Sequence, residues 1–192
     1  MARVRWLGAG PLLAVALMSV SAARANSGNA AARLVLTPSD VGTSYARNAA
    51  FSRPRTRAEA GAGDPTAIRL QLRRKWLAGV QVGFNGISVP WGIVSTADVF
   101  RTTDLVSIDR AWHRDLLRIA AGNMRRLPAN APGTNQVLVR GRLQSFETLE
   151  YMWQHGRAIL SVNLTGKPGT LRLSLLMALA RRQDRKADRL GL

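Results

Sequence analysis

The chain contains no cysteine. No disulfide can brace it, no thiol can act as a nucleophile, and no lipid can be attached to a Cys side chain. Histidine is scarce as well: His113 and His155 are the two in 192 residues. The 11 acidic residues are dispersed, and no His/Asp/Glu triplet has metal-ligand spacing. A G-x-S-x-G nucleophile elbow and a Gly-rich phosphate loop are both missing. No cofactor is implied, and the balance is against an enzyme. A carboxylate pair assembled in space, as in glycosidases, stays open because sequence spacing does not reveal one. Beyond the first 25 residues no segment approaches the ~20 apolar residues that a membrane span needs.

What is present begins at the front. "MARVRWLGAGPLLAVALMSVSAARANSG" carries Arg3 and Arg5, an apolar run from Leu12 to Met18, and then small residues. Ala23 and Ala25 form an A-x-A cleavage pattern before Asn26. This three-part arrangement predicts a secretory signal peptide over 1–25, removed in a secreted or extracytoplasmic mature protein. Gly8, Gly10 and Pro11 interrupt the run and argue against a membrane anchor.

Cutting 25 residues from 192 leaves 167, enough for one domain with a proper core. The cut removes Arg3, Arg5 and Arg24 from 28 basic residues, leaving 25 against 11 acidic ones and a mature charge of +14. Lys75, Lys167 and Lys186 are the lysines; the other 22 are arginines. A GC-rich genome and selection for an anionic partner explain this bias equally well. Either way the chain is drawn to anionic surfaces, and salt weakens that attraction.

Residues 26–33 read as a flexible tail, followed by a single domain over 34–192. "LTPSDVG" is one helical turn: Thr37 caps it, Pro38 suits the first position and Gly42 stops it. Residues 46–63 carry no period and read as a long surface loop. Over 64–79, Asp64, Pro65 and Gly79 frame a helix bearing Ile68, Leu72 and Trp76, although Ile68, Leu70 and Leu72 also alternate as in a strand. Val80, Val82 and Phe84 alternate with Gln81 and Gly83, a half-buried strand.

"GIVSTADVFRTTD" holds several hydroxyls and two carboxylates. Ile93, Ser95, Ala97 and Val99 fall on one face of an extended chain, and Val94, Thr96, Asp98 and Phe100 on the other. The period then changes to 3.6: Leu105, Ile108, Trp112, Leu116 and Ile119 predict an amphipathic helix capped by Thr103 or Asp104. Strand propensity and capping therefore explain this stretch better than an active site does. "RRLPANAPGTNQ" is a loop and "VLVRGRL" a short strand.

With His155-Gly156 as a two-residue turn, "FETLEYMWQHGRAILSVNLTG" forms a hairpin in which Trp153 faces Ala158, Tyr151 faces Leu160 and Leu149 faces Val162. Glu150, Thr148 and Gln154 fall on the opposite, outward side. The last helix, capped by Thr170, buries Leu173, Leu176, Met177 and Ala180, and its charged final turns point to solvent. The expected fold class is α+β: a single antiparallel sheet of about five strands with helices packed on one face.

"LTPSDVG", "STADVFRT", "YMWQHGRAILSVNLTG" and "ALARRQDRKA" occur in the order and style of small exported bacterial proteins of unassigned function. The layout, over about Leu34 to Leu190, resembles the extracytoplasmic sensor domains of bacterial serine/threonine kinases of the PknH type and, more distantly, the PsbP-like fold. The PknH-type sensors are disulfide-bonded, unlike this chain, and there is no kinase domain here. The resemblance implies a binding or accessory role outside the membrane and assigns no residues.

Three readings follow. The first is an exported, non-enzymatic, sensor-like domain that binds a small apolar ligand or an envelope protein, with Phe84, Trp91, Phe100, Trp112, Tyr151 and Trp153 as pocket candidates, though core filling explains them too. The second is a cationic protein adhering to anionic lipid or cell-wall polymer through Arg53, Arg55, Arg57, Arg73, Arg74, Lys75, Arg181, Arg182, Arg185 and Lys186. Export argues against nucleic acid as the anion. The third is a hydrolase whose site is assembled in space. His113 with Asp109 reads as a solvated i,i+4 pair, and His155 as an exposed turn residue. The oligomeric state is left open.

Overall fold

A computed structural model describes residues 27–57, 59, 75–104, 124–129, 132–143 and 145–192. The expected signal peptide, the helix over 105–119 and most of the helix over 64–79 lie outside these residues, as do Arg73, Arg74, Trp112, His113 and Asp109.

Residues 27–34 are helical (α1), with Ala31 and Leu34 fully buried, so this part of the expected tail belongs to the packed unit. α2, Pro38–Val41, is the expected turn, its capping box closed by Thr37 and Asp40. β1 (Tyr45–Pro54), β2 (Trp76–Gly86) and β3 (Trp91–Phe100) form one antiparallel meander. β4 (Met124–Leu127), β5 (Thr134–Leu143), β6 (Phe146–His155) and β7 (Ala158–Gly166) form a second. β3 pairs antiparallel with β7, which joins the two into one sheet of order β1-β2-β3-β7-β6-β5-β4. α3, Leu173–Leu190, packs on β6 and β7.

The sheet therefore has seven strands among the described residues, not about five. Both additional strands lie where loops were expected. β1 is an edge strand held by its backbone ladder to β2, and most of its side chains are exposed, so no hydrophobic period marks it. β4 has four residues and one partner. β2 also starts earlier than expected: Trp76 and Gly79 are strand residues, not the end of a helix.

One face of the sheet makes the core. Val82 and Phe84, Ile93 and Ala97, Leu149, Tyr151 and Trp153, and Leu160, Val162 and Leu164 alternate inward from four strands. Ala31, Leu34, Leu176, Leu179, Ala180 and Ala187 join them from the helices. Tyr151 and Trp153 stack with ring centroids 4.9 Å apart. The polar tips are satisfied: Tyr151 Oη donates to the Pro132 carbonyl at 2.7 Å, and Trp153 Nε1 to Asp184 at 2.8 Å.

The hairpin faces are those expected, but the turn lies one residue later. His155 pairs with Ala158, so Gly156 and Arg157 are the central residues, and Gly156 takes φ 52° as the first position of a II′ turn requires. Trp153 then faces Leu160, Tyr151 faces Val162 and Leu149 faces Leu164. A pairing shift of two residues keeps every side chain on its face, which is why the pattern survived. His155 is not a free turn residue: its Nδ1 lies 2.8 Å from Asp184.

α3 departs from expectation at both ends. Leu173 is 41% exposed, whereas Gln183 near the far end is fully buried. Ser95 Oγ donates to Gln183 Oε1 at 3.0 Å and accepts from Leu36 N at 3.1 Å. Gln183 Nε2 donates to the Thr96 carbonyl at 2.7 Å. Lys186 reaches the Val35 carbonyl at 2.8 Å and pairs with Asp40, and Arg182 donates to the Asp40 carbonyl. The charged end of the helix is docked on α2 and β3 because these polar chains tie it there.

Trp153→Ala is expected to cost about 3–5 kcal/mol, since it empties a fully buried site. Ile87→Ala, at a side chain 68% exposed, should stay within about 0.5 kcal/mol. Urea midpoints of the two variants measure the difference, and similar midpoints would contradict the assigned core face.

Candidate functional site

The opposite face of the same strands is built from the complementary alternation. Registered pairing sets three rows across β2, β3, β7 and β6. One runs Gly83, Val94, Asn163, Glu150; the next Gln81, Thr96, Ser161, Met152; the third Gly79, Asp98, Ile159, Gln154. The side chains of these rows other than Gln154, with Phe51 and Arg55, line a cleft of about 310 Å³. Two residues of β2 on this face, Gly79 and Gly83, have no side chain. A Cβ at Gly83 would lie 2.5 Å from that of Phe51, and one at Gly79 would collide with the Asp98 carboxylate. Both neighbours occupy the space these glycines leave.

Arg55 and Asp98 form the centre. Arg55 Nη1 lies 2.9 Å from Asp98 Oδ2, with the two side chains 9% and 6% exposed. Trp76 Nε1 donates to Asp98 Oδ1 at 2.9 Å, so both carboxylate oxygens are engaged. Burial pushes the Asp98 carboxyl above its ordinary range, and Arg55 and Trp76 oppose that. Arg55 is set by its surroundings: its backbone N–H donates to the Gly79 carbonyl at 2.9 Å, and Nη2 donates to the Glu59 carbonyl at 2.8 Å. Glu59 folds back on Thr56, accepting from its N–H at 2.7 Å. Arg53 and Thr56 hold the Glu59 carboxyl down at about 2. Arg55 Nε is buried and has no hydrogen-bond partner among the described residues.

Glu150 is the second acidic group in the cleft. Burial raises its carboxyl, while the Asn163 amide and the charge of Arg55 oppose the shift. It lies on the side facing away from α3, as expected, but that side is a cleft wall here. By strand geometry its backbone is about 13 Å along and about 10 Å across from that of Asp98, four residues and two strands away. A glycosidase pair needs carboxyls about 5–9.5 Å apart. The other polar groups bond among themselves: Thr96 Oγ1 with Ser161 Oγ at 2.6 Å, Gln81 Nε2 to the Phe51 carbonyl at 3.3 Å, and Asn163 Nδ2 to Thr148 Oγ1 at 2.9 Å.

Of the aromatic candidates, Phe84, Tyr151 and Trp153 belong to the core cluster and Trp91 packs against it, donating from Nε1 to Tyr45 Oη. Phe100 is fully buried. Among the described residues these rings do not line the cleft, and Trp112 lies outside those residues. Among the basic candidates, Arg55 is inside the cleft, Arg53 pairs with Glu59, and Lys75 pairs with Asp104 at 3.3 Å. Arg182 and Lys186 serve the docking of α3, while Arg57, Arg181 and Arg185 are exposed. The cleft residues Phe51, Gln81, Thr96, Asp98, Glu150, Ser161 and Asn163 were not nominated from sequence. A signal existed: the outward positions of β2, β3 and β7 hold two glycines, hydroxyls, amides and an Asp in register with one another.

No family model matches the chain, and no curated protein matches it in sequence. Among solved structures the chain is similar to the extracellular domain of PknH from Mycobacterium tuberculosis. The TM-score is 0.53 at 13% identity, covering 84% of this chain and 96% of that one. The resemblance to a PknH-type extracytoplasmic domain therefore holds at the level of fold.

Asp98→Asn leaves the Arg55 guanidinium buried without a counter-charge and should cost about 3–5 kcal/mol. Replacing Arg55 and Asp98 together by Leu should cost less than the sum of the single changes, because no lone charge remains. Additive losses in denaturant would show that the two do not form a coupled pair.

Glu150→Gln should act the other way. A carboxyl raised in the folded state takes up protons preferentially there, so its cost to stability sets in as the pH rises past the ordinary value and is complete above the folded pKa. The variant should melt higher than the parent at neutral pH, and the gain should vanish as the pH falls below the ordinary value of 4.5. A gain that persists in acid would contradict the burial of this charge.

Proposed function

We propose that the protein is an exported, sensor-like binding domain acting outside the membrane, without catalytic activity, and that it holds its ligand in the cleft on the sheet face opposite α3. The observation that carries this reading is the convergence in one cavity of a buried ion pair, a second, half-buried carboxyl and apolar side chains from separate strands. Structure alone does not call for such a set, because burying charge costs free energy that an apolar face would not. The Arg-rich start, the apolar run and the A-x-A pattern support export with cleavage after Ala25. The likeness in fold to an extracellular domain agrees with that location.

The ligand envisaged differs from the small apolar molecule that the aromatic residues suggest. Those rings fill the core, and the cleft offers a mixed surface instead: Val94, Met152 and Ile159 beside Glu150 and Arg55. Adhesion to anionic lipid or polymer finds less support, since Arg53, Arg55, Lys75, Arg182 and Lys186 have partners within the chain. A hydrolase finds less as well, since both oxygens of Asp98 are held by Arg55 and Trp76 and leave it no free position to act as acid or nucleophile.

Protein recovered from the medium or envelope of its own organism tests both parts. Its N-terminus should be Asn26, and native mass spectrometry should show a retained small molecule. A Ser161→Phe variant, which fills the cleft from its floor, should lose that mass while keeping its fold by circular dichroism. Retention of Met1 in a membrane fraction would overturn the export reading. A ligand kept by the filled variant would overturn the cleft.

A further inference from the structure

We propose that the cleft takes a small amphipathic amine, its ammonium group on the Glu150 carboxylate and its hydrocarbon body on Met152, Ile159 and Val94. The inference rests on the cleft being the ligand site. It comes from counting which polar groups there are already used. Both oxygens of Asp98 are taken, by Arg55 and Trp76. The hydroxyls of Thr96 and Ser161 bond each other. Asn163 gives its amide to Thr148 and accepts from Thr165 Oγ1 at 2.8 Å. A sugar or other polyol would have to break these bonds in order to make its own.

Glu150 is the exception. Among the described residues no cation forms an ion pair with it, and its one hydrogen-bonding neighbour is the neutral amide of Asn163. A half-buried carboxylate lining the cleft with no cation in contact is an unbalanced charge, which a ligand ammonium would balance. Arg55 acts on it through its charge at a distance but makes no contact, since its guanidinium is held by Asp98 at 2.9 Å and by the Glu59 carbonyl at 2.8 Å. The cleft therefore carries one carboxylate in excess, although the chain as a whole is strongly basic. Surface charge beyond about 8–10 Å is screened at physiological salt, so the local carboxylate sets the preference. At the rim, Phe51 is 53% exposed and packs on Gly83. Its ring can meet the hydrocarbon stem of the amine.

Titration calorimetry of the intact mature protein tests this with butylamine and phenethylamine, each against the alcohol of the same skeleton. At least one amine should bind saturably at millimolar concentration, about tenfold or more tighter than its alcohol. Glu150→Gln should bring the amine down to the affinity of the alcohol, and Ser161→Phe should remove binding of both. Equal affinity for amine and alcohol would overturn the inference, as would an unchanged amine affinity in Glu150→Gln or no binding of either amine. The amine–alcohol contrast is read on the parent protein, so it does not depend on any variant folding. If the amines fail but the recovered protein retains a small molecule that Ser161→Phe loses, the cleft stands and the amine falls. If both fail, both fall.

Discussion

The ladder between β3 and β7 is the constraint on which both faces of the molecule depend. It joins residues 91–99 to residues 158–166, and with them a three-stranded meander to a four-stranded one. Its register puts Ile93, Ser95 and Ala97 against Leu164, Val162 and Leu160 on the core side, and Val94, Thr96 and Asp98 against Asn163, Ser161 and Ile159 on the cleft side. A slip of one residue would carry Asp98 and Thr96 into the apolar core and expose Ala97. Gln183 guards against that slip from outside the sheet, bonding the Ser95 side chain and the Thr96 carbonyl together. The long-range pairing that folds the domain thus also assembles the cleft.

The two faces manage polarity differently. On the core face the polar groups of the buried side chains Trp153, Tyr151 and Ser95 have partners, in Asp184, Pro132 and Gln183. On the cleft face the balance is incomplete: among the described residues Arg55 Nε has no hydrogen-bond partner, and the half-buried Glu150 carboxyl has no cation in contact. Unsatisfied polar groups are few in native proteins, and where they occur they mark strain or function. Their position beside a cavity, on rows whose other members are satisfied, gives the functional reading its weight. A ligand completing the balance would tie β3, β7 and β6 together across their outer face.

Much of the core was legible in the sequence because strict alternation over β3, β6 and β7 marks which side chains face inward, whatever the exact turn. The Trp153 hairpin kept its faces even though its turn lies at Gly156–Arg157. β1 was not legible: an edge strand that exposes Phe51 and its neighbours needs backbone hydrogen bonds, and backbone bonds leave no mark on side-chain pattern. The docked end of α3 was misread because Lys186 and Arg182 look like a solvated charge run until Asp40 is brought beside them from 146 and 142 residues away. Asp98 was explained locally, as part of a strand leading into a helix. Its role depends on Arg55, which looked like one more surface arginine in "RPRTR" and reaches Asp98 through the pairing of β1, β2 and β3. Charges that meet only through tertiary pairing carry no short-range signature.

The central claim is that one sheet carries a closed core on one side and a ligand cleft on the other. Amide chemical-shift mapping during titration with phenethylamine tests it most directly. The account predicts perturbations that follow the cleft rows, at Val94, Thr96, Met152 and Ser161, with α3 from Leu176 to Ala187 left unmoved. Perturbations centred on α3, or spread over the exposed arginines Arg57, Arg181 and Arg185, would contradict it.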